Sequence, residues 1–379
     1  MTEAVIVSAV RSPIGRAHKG SLVGMRADDL AAAMVREALA RVPALDPADL
    51  DEVILGCAQP AGEQGYNLGR IVALRLGLEG VPGTTVHRYC ASSLQAIRMA
   101  FHAIRSGEGH AFVAAGAESV SRYDRGKSDG LPDTRNPALP DAYVAMGETA
   151  ENVTMMCGIS RAEQDEFAVR SQNLAEKALA DGFFDLDITP VTLPDGTVLA
   201  QDDGPRPGTT LDKVAALKPA FRADGTVTAA NSCPLNDGAA ALVVMSAARA
   251  GGLGIEPLAR IVATGVSALS PSLMGLGPVE ASRRALAHAR LSMADIDLVE
   301  LNEAFAAQVI PSYRQLGIPI ERLNVHGGAI ALGHPFGMTG ARIATTLING
   351  LRHHDKQFGL ETMCAAGGQG MAMIVERLF

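Results

Sequence analysis

The sequence predicts an α/β protein made of two related halves, each with a mixed sheet covered by helices, and a loop domain inserted into the first half. Three observations carry this reading. Strand-like apolar runs alternate with helical patterns towards both ends of the chain, one order of elements occurs twice, and a stretch rich in Arg, Asp, Gly and Pro interrupts the rhythm between the copies.

Taken in order, an opening strand over Val5 to Ala9 leads through the turn Ser12-Pro13-Ile14-Gly15 to a helix through Leu30, Met34 and Leu39, with Asp28 and Asp29 as its expected cap. An acidic turn then feeds a buried strand, Asp49-Leu50-Asp51-Glu52-Val53-Ile54-Leu55-Gly56. The same pattern returns as Asp295-Ile296-Asp297-Leu298-Val299-Glu300-Leu301-Asn302, again behind an Ala/Arg-rich helix, 31–41 in the first copy and 279–290 in the second. Between the copies, Ser121 to Pro140 reads as a long surface excursion carrying Arg122, Arg125, Lys127 and Arg135. A helix from Ser160 follows, with Ser160 and Glu163 spaced as a capping box. The strand Ala239 to Met245 returns to the first half. These features divide the chain into a first half over 1–117, an inserted loop domain over 118–233, a return over 234–254 and a second half over 255–379.

Composition narrows the function. With 379 residues, 47% apolar and 20% charged, the chain can bury a large core and reads as globular. A net charge of −8 disfavours a nucleic-acid partner, because phosphate backbones attract a basic face. The five cysteines, at 57, 90, 157, 233 and 364, show no paired or Cys/His spacing, so neither a disulfide framework nor a metal site is expected. No apolar run reaches the roughly 18 residues of a membrane span, and Ala4 to Val7 enters a strand without a basic leader. The expectation is a cytoplasmic protein without membrane insertion.

Cys90 stands where the extended run Gly83 to Val86 gives way to a helix through Leu94, Ile97, Phe101 and Ile104. A thiol at a helix entrance meets unpaired N–H groups and the positive end of the helix dipole, which favour thiolate; free cysteine also commonly just fills a core. His334 lies among glycines at 327, 328, 333, 337 and 340, a density that permits close ligand approach. Asn302 and Glu303 end a buried strand, where α/β sheets place ligands, and Cys364 precedes a Gly-Gly-x-Gly turn. Each alone has a structural reading as well, as a helix cap or a hydrogen-bonded core residue.

Together these stretches resemble the thiolase family over essentially the whole chain. CASSLQAI at Cys90, MGETAENV from 146, NDGAAAL from 236, NEAFAAQ from 302, GGAIALGHPFGMTG around His334 and CAAGGQG from 364 occur in that family's order. The resemblance implies duplicated βαβαβαββ halves in an αβαβα layering, and acyl transfer between 3-ketoacyl-CoA and CoA. It implies Cys90 as the nucleophile, His334 as its activator, Cys364 as the second proton carrier and Asn302 as the holder of a water in an oxyanion hole. Backbone N–H groups near Cys90 and Gly367 would form another hole, with Glu303 as support. CoA would be a substrate, with no cofactor and no metal. Arg206 would lie near its phosphates, Cys233 would stand where a CoA-contacting serine is common, and Met146, Phe221, Met274 and Phe305 would line the pantetheine tunnel. Exposed charge and ordinary core remain the alternative readings of these CoA candidates.

The chain departs from the common family pattern at Ser93, His326 and Ala366, and at Ala145, where short-chain biosynthetic members tend to carry histidine. That last departure favours a degradative 3-ketoacyl-CoA thiolase of fatty-acid, aromatic or sterol catabolism over an acetoacetyl-CoA-forming enzyme. A catalytically silent acyl-CoA binder of the same fold is the alternative from another class. A homodimer or homotetramer is expected.

Overall fold

A computed structural model describes residues 2–123 and 135–378. The first half runs β1 (Ala4–Arg11), β2 (Gly15–Arg16), α1 (Ala27–Ala40), β3 (Glu52–Gly56), α2 (Leu68–Arg75), β4 (Gly83–Val86), α3 (Ser92–Ser106) and β5 (Ala111–Ser119). The intervening segment holds α4 (Met146–Cys157), α5 (Arg161–Ala180), β6 (Val191–Thr192), β7 (Val198–Leu199) and α6 (Leu211–Ala215). β8 (Asn236–Ser246) and α7 (Ala247–Gly252) come next. The second half contains β9 (Ala259–Ala268), α8 (Gly277–Ala289), β10 (Leu298–Leu301), α9 (Ala306–Leu316), α10 (Ala329–Leu332), α11 (Thr339–His353), β11 (Phe358–Ala365) and β12 (Gln369–Arg377).

The strand order is β4-β3-β5-β8-β1 in the first half and β10-β11-β12-β9 in the second. In both, parallel pairing gives way to antiparallel pairing at the same place: β3 is parallel to β5 and β10 to β11, while β8 runs antiparallel to β5 and β12 to β11. Where the first half has β4, the second has only a parallel bridge between Val299 and Leu323. The edge strands β1 and β9 pair through Val5–Arg260 and Ile6–Ala259, so the two half-sheets form one continuous sheet.

Two-residue periodicity sorts the strands between layers. In β8, Leu242 and Val244 join an inner core with α3 and α11, whereas Val243 and Met245 join an outer core with α1 and α2. In β12, Met371 and Met373 face inward, and Ala372 and Ile374 pack with residues of α8 and α9. The result is five layers, with α3 and α11 in the middle. Leu94, Ile97, Phe101 and Ile104 lie on the buried face of α3, and burial stabilises each such side chain by about 1.5–3 kcal/mol. The helix ends at Gly107, whose φ of 82° suits a left-handed cap.

Glycines bring the two central helices into contact. A Cβ on Gly340 would lie 2.4 Å from the Leu94 backbone nitrogen, and one on Gly337 would lie 2.4 Å from the Ala117 carbonyl oxygen. Bulk at Gly340 would push α11 away from α3, and bulk at Gly337 would push the loop that carries His334 away from β5. The intervening segment is tied to the sheet by Arg11, which is fully buried, donates to Asp202 at 2.8 and 3.0 Å and lies 3.5 Å from Asp187.

Local expectations met different fates. Ser160 and Glu163 form the capping box. Asp28 and Asp29 do not cap α1: Arg26 holds the cap position, and both aspartates fall in the first turn, where they still favour the positive end of the dipole. Of the basic excursion, Arg125 and Lys127 lie outside the described residues, and Arg122 is paired with Glu63.

Candidate active site

Cys90 lies two residues before α3, in a turn that forces Tyr89 to a φ of 46°, a left-handed conformation costly for a residue with a Cβ. Side chains on either side hold that turn. The Tyr89 N–H donates to His87 Nδ1 at 3.1 Å, and Ser92 Oγ accepts from the Arg88 N–H at 2.9 Å while donating to the Tyr89 carbonyl at 2.6 Å. Cys90 is 9% exposed. Burial pushes its thiol up to about 12 and the Glu118 carboxylate adds to the rise, against the N–H groups of Cys90 itself and Ala366. The helix entrance was expected to favour thiolate; burial outweighs it, so Cys90 is a thiol at rest and needs a base.

His334 is the candidate for that base. It follows Gly333, whose φ is 109°, and is buried. Its Nδ1 lies 2.6 Å from Thr339 Oγ1, and that hydroxyl donates to the Pro335 carbonyl at 2.7 Å. With its proton committed, Thr339 accepts from Nδ1–H. This fixes the tautomer and makes Nε2 the accepting nitrogen. Asn302 Nδ2 lies 3.3 Å from Nε2. Burial, helped by the Arg342 charge, pushes His334 down to about 3, so it is neutral at ordinary pH. Asn236, in the NDGAAAL stretch, fixes the backbone by accepting from the His334 N–H at 3.0 Å.

Cys364 lies near the end of β11, opposite Gly370, and is fully buried. Its Sγ is 3.9 Å from Gln308 Oε1, and Gln308 Nε2 donates to the Asn302 carbonyl at 3.2 Å. Burial raises its thiol well above the usual range, with further contributions from Cys90 and Cys233. Three thiols are therefore close enough to sense one another's charge. The Cys233 N–H donates to the Ala304 carbonyl at 3.0 Å, beside Phe305.

Glu303 supports the histidine loop. Its carboxylate accepts from Ser171 Oγ at 2.6 Å, Asn324 Nδ2 at 2.8 Å and the Ile330 N–H at 3.1 Å. A Cβ on Gly328 would lie 2.2 Å from its carboxyl carbon, so glycine there makes room for it. Ala366, whose N–H works against the rise at Cys90, lies one residue before the Gly367 singled out in the sequence.

The CoA candidates separate into two groups. Arg206 lines a groove of about 260 Å3 with Arg16, Lys213 and Thr209, the local basic patch an anionic ligand needs. Burial and the neighbouring Arg16 both push Arg206 down. Met274 and Phe305 pack in one apolar cluster with Cys364, Met146 lies against it, and the Phe221 ring is 6.1 Å from that of Phe305. A larger hollow of about 760 Å3 lies towards the far end of α3, lined by Met99, His102 and Ser106, and has no thiol in its walls.

Sequence reasoning passed over Glu118. It is fully buried and accepts from the N–H groups of Ala58, Gln59 and Gly337 and from Gln64 Nε2, joining a first-half loop to the turn just past His334. Burial pushes it up to about 7. A carboxylate inside the apolar run AFVAAGAES was the available signal. Among the described residues no group of three or more His, Cys, Asp or Glu could hold a metal ion, and no helix is long and apolar enough to cross a membrane.

Comparison with known proteins places this geometry. The family profile "Thiolase, N-terminal domain" matches residues 4–248 and "Thiolase, C-terminal domain" matches 255–377. The chain is 46% identical to a 3-ketoacyl-CoA thiolase of Bacillus subtilis, over 99% of this chain and 100% of that one. It is 45% identical to a beta-ketoadipyl-CoA thiolase of Escherichia coli, over the full length of both. The crystal structure of the Bacillus anthracis acetyl-CoA acetyltransferase superposes with a TM-score of 0.92 at 40% identity, covering 100% of this chain and 99% of that one. Matches to both domain profiles and to relatives of full length show that this chain belongs to the thiolase family of acyltransferases.

Proposed function

We infer that the chain is a 3-ketoacyl-CoA thiolase of the degradative type, cleaving a 3-ketoacyl-CoA with CoA by ping-pong acyl transfer. The observation that carries this reading is a buried thiol, Cys90, and a neutral imidazole, His334, whose accepting Nε2 meets Asn302, on turns just ahead of the two central helices that pack together through Gly340 and Leu94. Cys90 Sγ attacks the C3 keto carbon as His334 Nε2 takes its proton. The C2–C3 bond breaks, and Cys364 protonates the acetyl-CoA carbanion. The Cys364 thiolate then deprotonates the incoming CoA thiol, whose sulfur attacks the acyl thioester and releases the shortened acyl-CoA. His334 returns the proton to Cys90. Asn302 beside His334 Nε2, and the N–H groups of Cys90 and Ala366, supply donors for the developing oxyanions.

CoA is a substrate in this scheme and no cofactor enters it. Arg206, with Arg16 and Lys213, receives the nucleotide phosphates; Met146, Phe221, Met274, Phe305 and Cys233 line the path to the thiols. The protein acts in the cytoplasm as a homodimer or homotetramer, in fatty-acid, aromatic or sterol catabolism. Relatives named for 3-ketoacyl-CoA and for beta-ketoadipyl-CoA support a substrate larger than acetoacetyl-CoA. The similarity to an acetyl-CoA acetyltransferase keeps acetoacetyl-CoA formation as the second reading. A thiolysis panel of 3-ketoacyl-CoA esters of rising length and bulk, followed at the enolate absorbance, tests both. Turnover that rises beyond acetoacetyl-CoA is expected, and activity on none of the esters would overturn the assignment.

A further inference from the structure

We propose that Arg88 and Gln369 are positioning residues, a clamp between the two halves that aims the Ala366 N–H at the Cys90 sulfur. The role of that N–H rests on the thiolase reading above; the clamp itself rests on geometry. β11 and β12 pair as far as Ala365 and Gln369, so residues 366–368 form a turn outside the ladder. Gly367 and Gly368 both adopt left-handed φ, 75° and 74°. Ala366 thus sits where two residues of unusual backbone freedom begin, yet its N–H must hold one direction to serve Cys90.

Gln369 grips Ala366 from both sides. Its backbone closes the ladder against Ala365, and its side-chain Nε2 crosses the turn to donate to the Ala366 carbonyl at 3.2 Å. Its Oε1 accepts from Arg88 Nη1 at 2.9 Å. Arg88 is two residues before Cys90, so the contacts close a ring between the two turns: Arg88 to Gln369, Gln369 to Ala366, Gly367 against Tyr89, where an added Cβ would lie 3.8 Å from Cε2, and the chain back to Arg88. The ring joins residues 281 positions apart. It lets the guanidinium fix the Gln369 amide orientation, since an N–H donor selects Oε1 and turns Nε2 towards Ala366. A misaimed donor loses most of its worth to a developing oxyanion, because hydrogen bonds weaken steeply with angle.

The test uses Gln369→Ala, Gln369→Glu, Arg88→Ala, Arg88→Lys and the Gln369→Ala/Arg88→Ala double variant, each confirmed folded by its thermal transition. Gln369→Ala is expected to lower kcat for thiolysis about 10- to 100-fold with KM changed less than about twofold. Gln369→Glu keeps the bond to Arg88 but sets a carboxylate against the Ala366 carbonyl, and should lose as much. Arg88→Ala should lose less, Arg88→Lys should recover part of that loss, and the double variant should match Gln369→Ala alone. Iodoacetamide labelling of Cys90 at pH 8, read by peptide mass, should slow in parallel with kcat. Losses that multiply in the double variant, a KM effect without a kcat effect, or wild-type labelling in Gln369→Ala would overturn the clamp. Absence of thiolysis by the wild type would overturn the thiolase reading instead, leaving Cys90 labelling to judge the clamp alone.

Discussion

The two halves share one sheet plan and use it for opposite chemistry. In the first, the turn ahead of α3 presents Cys90; in the second, the turn ahead of α11 presents His334. The ends of the matching strands β5 and β11 differ in the same way: one carries Glu118, a carboxylate engaged by backbone and amide donors, and the other carries Cys364, a thiol packed among apolar side chains with a weak polar contact at Gln308. Duplication therefore provides two equivalent mouths over a shared pair of central helices. What distinguishes them is the side chain each loop delivers, a thiol from one half and an imidazole from the other, which the function proposed above uses as nucleophile and base. Neither half holds a complete site.

That division can be broken from the second half first. His334→Ala should lower kcat about 10³- to 10⁴-fold while leaving the fold intact, because the buried Cys90 thiol then lacks its base; steady-state thiolysis and circular dichroism check the two parts. Thr339→Val removes the acceptor that fixes the His334 tautomer and should cost about 10- to 100-fold in kcat, with little change in KM. Glu303→Ala leaves Ser171, Asn324 and the Ile330 N–H without their acceptor. A loss of about 2–4 kcal/mol in denaturant unfolding is expected.

The fold was legible because the repeat is written in local signals: acidic turn, apolar strand, Ala-rich helix. The junction between the halves was not. The β1–β9 pairing rests on Val5, Ile6, Ala259 and Arg260, which read like any other strand residues. Likewise Leu323 shows no sign that it stands alone where the first half has β4. In the site, Cys90, His334, Asn302 and Cys364 stood out by residue type and by glycine around them. Glu118, Thr339 and Gln369 did not, since their roles depend on partners 219, 5 and 281 positions away and on which atom of each faces the other. The resting protonation of Cys90 escaped the sequence for a similar reason: a helix entrance is local, but the burial that overrides it comes from the whole molecule.

A smaller effect separates His334 from His326. His334 and His326 are both held at about 3 by burial, the latter also by His354, His353 and Lys177. An unfolded imidazole titrates near about 6.5. The folded chain binds fewer protons over this interval, so the stability these groups contribute is complete above the unfolded value and is lost as pH falls towards 3. Glu118 and Glu300, raised to about 7 and about 8, act in the opposite sense in wild type and variant alike. His326→Asn should therefore show a smaller drop in Tm between pH 7 and pH 5 than wild type, with thiolysis little changed.

The division of labour between the halves is tested most directly by intact-mass detection of the acyl-enzyme after mixing with a 3-ketoacyl-CoA in the absence of free CoA. Wild type should gain one acyl group, mapped to Cys90 by peptide mass. Cys364→Ala should gain the same group more slowly, and Cys90→Ser should gain none. An acyl group on Cys364 or Cys233, or acylation that survives Cys90→Ser, would contradict the account.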